Sequence, residues 1–180
     1  MNNLKSSKKV SDFLIKNNLH KKDFAQMIGV TLSYVYNIID EAVPFSTRSV
    51  TIERIATVMD VLPEDFEEYV IEQDPVPYDK NLDKIKQMIK NNGLSTLEFL
   101  KLFERKKRLK IVDILRGKEP LPINIDDLRA FFDVLKTGKN EFFDLWQNVM
   151  EDNLKNNGFD VEKNKVLLDK MFSCAKKSFE

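Results

Sequence analysis

Apolar positions along this chain recur at helical spacing, and no segment sustains the period-two alternation of a strand. Val10, Phe13 and Leu14 form a stripe that predicts a first helix, stopping near Asn17-Asn18. A second helix is predicted from His20, with Asp23 three positions on and Phe24, Met27 and Ile28 turned inward. Gly29 ends it, since glycine takes the positive φ of a helix C-terminus at no steric cost. Thr31 predicts the N-cap of a third helix, its hydroxyl accepting from an orphan backbone N–H. That helix runs to about Asp40 on Val35, Ile38 and Ile39. A loop with Pro44 follows, then a fourth helix over about Thr51 to Asp60 and a fifth, opened by Pro63, to about Glu72.

The pattern then recurs. Ile15-Lys16-Asn17-Asn18 returns as Ile89-Lys90-Asn91-Asn92, and Leu19 and Phe24 return as Leu94 and Phe99 at an offset of 75. From there the offset is 76: Val35 and Ile38 match Ile111 and Ile114, Ile52, Ile55 and Met59 match Leu128, Phe131 and Leu135, and Phe66 matches Phe142. The matches are nearly all apolar, so the repeat preserves core positions. Ser95 and Glu98 supply a capping box at the second helix of the second copy. Pro75-Val76-Pro77 is a stiff connector that no helix can cross. The expected organisation is all-α: a domain over 1–73, a linker over 74–81, a second domain over 82–157 and a C-terminal helix over 158–180. In that last segment Leu168, Phe172, Ala175 and Phe179 lie at helical spacing, and the helix is expected to cover its own domain.

Composition narrows the chemistry. Five glycines in 180 residues leave no Gly-rich phosphate loop. The single cysteine, Cys174, excludes an intramolecular disulfide and a multi-thiolate metal site, and it is expected to be a small buried residue. The single histidine, His20, excludes His-pair zinc motifs and most His-based triads. With no convergent acid/base set and no nucleophile beside a base, neither an enzyme nor a cofactor is expected. No apolar stretch approaches the roughly 18 residues of a membrane span, and the polar, basic start has no signal-peptide core, so a soluble cytoplasmic protein without membrane partners is expected. The formal net charge is zero, with 29 basic and 29 acidic residues, yet its sign alternates along the chain. Residues 51–78 carry 1 basic and 8 acidic side chains, whereas residues 79–118 carry 12 basic and 5 acidic ones. A field so divided can orient the protein against a polyanion.

The run Phe24-Ala25-Gln26-Met27-Ile28-Gly29-Val30-Thr31-Leu32-Ser33-Tyr34-Val35-Tyr36-Asn37-Ile38 resembles the helix-turn-helix of the Cro/phage-repressor (Xre-type) DNA-binding family, with Ala25, Gly29, Val35 and Ile38 at that family's spacing. Ile55 to Phe66 looks like the family's fourth and fifth helices. The second copy resembles it more loosely: Glu104-Arg105 replaces the turn glycine and Leu100 the small alanine. The resemblance implies two tandem five-helix lambda-repressor-like domains plus the C-terminal helix. It also implies a sequence-specific transcriptional regulator that lays the third helix of each copy in the major groove of double-stranded DNA.

In the first copy Leu32, Ser33, Tyr36 and Asn37 would then face base edges, Asn37 pairing with adenine and Leu32 touching a thymine methyl. Lys21, Lys22, Thr31 and Arg48 would hold phosphates, with the arm lysines Lys5, Lys8 and Lys9 in support. In the second copy Arg108 matches Leu32 and is expected to read bases, while Arg105, Lys106, Lys107, Lys110, Arg116 and Lys118 are expected at phosphates. Leu109, Val112 and Asp113 match Ser33, Tyr36 and Asn37, which leaves this copy open as a backbone clamp, a second reader or a dimer surface. A second copy of the chain is a further candidate partner. The competing reading is a protein-interaction module, a phage or plasmid accessory protein or antitoxin-like partner, carried by an exposed Leu109 and Val112 and by the terminal helix.

Overall fold

A computed structural model describes residues 5–70, 80–122, 125–135 and 138–178. Every regular element among them is helical. The first half holds α1 (Ser6–Lys16), α2 (Lys21–Ile28), α3 (Leu32–Ile39), α4 (Ser49–Met59) and a short 3-10 turn (Pro63–Asp65). The second half holds α5 (Lys80–Asn91), α6 (Thr96–Lys101), α7 (Arg105–Leu115), α8 (Ile125–Leu135) and α9 (Lys139–Asn156), and α10 (Lys165–Ser178) closes the chain. The predicted joint at Pro75-Val76-Pro77 lies outside the described residues. Its expected end does not hold, because Lys80 and Asn81 are already helical, and Asn81 is buried with its amide donating to Asp152 at 2.8 Å.

The repeat is visible element by element. Shifted by the sequence offsets, α1 to α4 fall on α5 to α8, and the two fourth helices coincide end to end. Three departures carry consequences. The predicted fifth helix of the first half shrinks to the turn Pro63–Asp65, whereas its counterpart α9 spans 18 residues. Among the described residues of this segment Phe66 is buried in the core, stacked 6.0 Å from Phe45, and Tyr69 packs partly against it. In the second half Phe142, Phe143, Leu145 and Val149 give α9 a continuous apolar face. The second departure is at the turn between the second and third helices. α2 ends on Gly29 at φ +71, but α6 stops two residues shorter and ends on Leu102 in ordinary right-handed geometry. The third is that α7 starts three residues earlier than α3 by register, which adds the turn Arg105-Lys106-Lys107.

One apolar core runs through both halves, from Val10 to Val149. The most extensive contact between any two elements is α2 against α7, a contact across the halves, and α4 also packs on α6 and α7. α10 lies on α9: Val161, Leu168 and Phe172 close over Trp146, Met150 and Leu154, with Trp146 and Phe172 edge to face at 5.3 Å. Cys174 is exposed on α10 rather than buried, because the inward stripe of that helix runs through Leu168 and Phe172. Phe179, expected in the same stripe, lies outside the described residues. No described helix is long and apolar enough to cross a membrane.

Candidate functional site

The outer face of α3 is built by its two ends. Thr31 is extended and its Oγ1 accepts from the Tyr34 N–H at 3.2 Å, which starts the helix where the sequence predicts. Val35 and Ile38 bury the inner face, so Leu32, Ser33, Tyr36 and Asn37 are left in solvent. Leu32 is 40% and Tyr36 53% exposed, a large apolar and aromatic surface that the fold itself does not use. Lys21 on α2 reaches over the Tyr36 ring, its Nζ 5.2 Å from the centroid. Lys22 and Arg48 are exposed, and the Tyr34 hydroxyl ties the loop ahead of Arg48 to Thr47 at 3.1 Å. Lys5 is exposed and Lys8 half-buried, while Lys9 turns back to donate to the Asp65 carbonyl.

The second half reaches this face through the start of α7. Arg105, the first residue of α7, pairs with Asp23 of α2, its Nε 3.1 Å from Oδ1. A shallow depression of about 390 Å³ is therefore lined by both halves: His20, Lys21, Lys22, Asp23, Leu32 and Tyr36 from one, Arg105 from the other. Lys106, Lys107, Lys110 and Lys118 are exposed, and Lys106 pairs with Glu104 at 3.1 Å.

Beyond its first turn α7 is occupied by the protein itself. Val112 is fully buried and Leu109 half-buried, which removes the exposed apolar pair expected of an interaction module. Leu109 is seated on Gly29, where an added Cβ would lie 3.0 Å from both of its methyls and 2.9 Å from Arg54 Nη1. Asp113, the counterpart of Asn37, accepts a two-pronged pair from Arg54, Nε at 2.9 Å and Nη2 at 2.8 Å. Arg116 is not a phosphate contact: its side chain is 4% exposed and lies between Asp113, at 2.7 Å, and Glu53. Tyr69 completes the chain with its hydroxyl on Glu53 at 3.1 Å.

Arg108, expected to read bases, faces inward as well. Its guanidinium donates to the Phe103 carbonyl at 3.0 Å and the Lys101 carbonyl at 3.2 Å, closing the end of α6 where the glycine of the first half is missing. Burial pushes Arg108 down from the ordinary arginine value; Asp23 opposes this and Arg105 adds to it. The sequence pattern thus located the exposed face of α3 and its flanking lysines. It missed Asp23, Glu53 and Arg54 as the groups that receive α7. The available signal was the apolar Leu109 and Val112 at positions where the first copy has Ser33 and Tyr36.

No family model, no curated protein and no solved structure matches the chain.

Proposed function

We propose that α1 to α4 act as a helix-turn-helix unit and that the protein is a sequence-specific double-stranded DNA-binding regulator reading the major groove with α3. The observation that supports this most is the outer face of α3. It presents a serine, an asparagine, an aliphatic and an aromatic side chain, none needed by the core, beside Lys21, Lys22 and Arg105. An α-helix fits the major groove, and these side-chain types match base edges: amide to adenine, hydroxyl to several bases, aliphatic to a thymine methyl. The flanking cations suit phosphates and add affinity without sequence preference. Thr31, Arg48, Lys106, Lys107, Lys110 and Lys118 are exposed and remain candidate phosphate contacts in this reading, while Arg108 and Arg116 are withdrawn from it.

A fluorescently labelled pool of random duplexes tests the reading directly. Binding should fall steeply as salt rises, through release of condensed counterions. Asn37→Ala should flatten the preference among selected duplexes while leaving the fold intact. Unchanged preference in that variant removes Asn37 from the reading set, and binding that ignores salt argues for a protein partner instead.

A further inference from the structure

We infer that one chain reads one stretch of major groove, with α7 serving the same duplex as a sequence-blind clamp, so that the binding site is asymmetric. The inference rests on the DNA-binding reading above. It follows from where the repeat places the two third helices. Two reading helices that enter successive major grooves stand about 34 Å apart, one turn of the duplex. Here α7 packs directly on α2, the neighbour of α3, and packed helix axes lie about 8–10 Å apart. The two third helices are too close to occupy separate half-sites.

The second copy has also surrendered its reading face. Leu109, Val112 and Asp113, which match Ser33, Tyr36 and Asn37, are seated on Gly29, the core and Arg54. The reverse contact has no basis, because Glu53-Arg54 of α4 becomes Arg129-Ala130 in α8 and the second turn has no glycine seat. The docking is therefore one-directional and leaves one reader. What α7 keeps outside is its extra basic turn. Arg105 lines the depression shared with Leu32 and Tyr36 and is fixed there by Asp23, and Lys106, Lys107 and Lys110 continue outward in solvent. Flexible ammonium groups attract phosphates as point charges and do not discriminate bases.

The test is site selection from random duplexes with the full chain, followed by salt titration of the parent and of K106A/K107A/K110A. These three lysines are exposed, so the variant keeps its fold. The expected motif is a single asymmetric one within about half a duplex turn, roughly five base pairs. The variant should bind every duplex more weakly by one common factor, on the order of tenfold or more, with unaltered ranking of sites. Its slope of log affinity on log salt should be shallower by up to about three. A motif repeated at about one duplex turn, direct or inverted, overturns the single-reader inference while keeping the DNA reading. Unaltered affinity in the triple variant overturns the clamp. A parent chain that binds no duplex even at low salt overturns the DNA reading itself.

Discussion

α3 and α7 occupy the same register of the repeat and lead opposite lives. Val35 and Ile38 are buried in one and the matched Ile111 and Ile114 in the other, where Val112 and Leu115 are buried as well. Their remaining faces part company. In α3 the outer residues Leu32, Ser33, Tyr36 and Asn37 stay in solvent; in α7 the matched Leu109, Val112 and Asp113 are half-buried or buried, on the helix that packs on α2 and α4. The lesson is that two helices at matched positions of a repeat pattern can differ in whether their outer face meets solvent or the rest of the protein through a few residue differences. An acid in place of an amide, facing an arginine, and a leucine facing a glycine are enough.

The sharpest break in this comparison lies at the paired positions 37 and 113. Asp113→Ala leaves Arg54 and the buried Arg116 without their shared carboxylate, and should cost about 3 kcal/mol or more. Asn37→Ala, on the exposed counterpart, should change stability by less than about 0.5 kcal/mol. Urea midpoints of the two variants measure the contrast, and equal midpoints would mean that the arginine network does not hold the halves together.

Next come two of the left-handed glycines, Gly29 and Gly93. Gly29→Ala meets both backbone strain at φ +71 and a collision with Leu109 and Arg54, for a loss of roughly 2–3 kcal/mol. Gly93→Ala, at φ +69 in open space, should lose only the backbone share, about 1–2 kcal/mol. A smaller loss at Gly29 than at Gly93 would show that Leu109 is not seated as described.

Arg108→Ala removes two charged hydrogen bonds from the end of α6 and should cost about 1–2 kcal/mol, whereas Leu32→Ala at the matched position should be near neutral for stability. A further contrast is electrostatic. The first turn of α7 carries Arg105, Lys106, Lys107 and Arg108, cations at the positive end of a helix dipole, while that of α3 carries no charge. Lys107→Glu should therefore raise thermal stability slightly, by about 0.3–1 kcal/mol, and weaken duplex binding. Lower stability in that variant would deny that the basic turn is held at a cost.

The smallest effect is a pH dependence in the second copy. Glu98 lies below its ordinary carboxylate value because the Ser95 N–H, then the Ser95 hydroxyl, donate to it. A depressed carboxyl contributes stability that is present above its unfolded value and is lost as pH falls through its folded one. Glu98→Gln should remove a small part of the acid sensitivity of unfolding below the normal glutamate range. Asp23, its counterpart, is committed to Arg105 instead.

Much of the fold was readable from spacing and end signals. Apolar periodicity located α1 to α4, Gly29 and Thr31 marked the turn between α2 and α3, and Ser95 with Glu98 marked the start of α6. These are local effects, set by neighbours within a turn or two. The fifth helix of the first half failed because Pro63 is an equally good start for a 3-10 turn, and among the described residues there Phe66 is the buried one, with Tyr69 partly packed. Cys174 failed because the inner face of a helix depends on what lies beneath it.

The exposed face of α3 belongs with the local results, since burial of Val35 and Ile38 forces Leu32, Ser33, Tyr36 and Asn37 to the other side of the helix. The fates of Arg108, Asp113 and Arg116 do not. Each is a charged residue on a basic helix, and composition reads such a helix as a surface. Asp113 and Arg116 meet Arg54 and Glu53, 59 and 63 positions away, which come near only when the two halves close together, and Arg108 folds back on the Lys101 and Phe103 carbonyls because α6 ends short. Periodicity tells which way a side chain points; it carries no record of which distant surface will meet it.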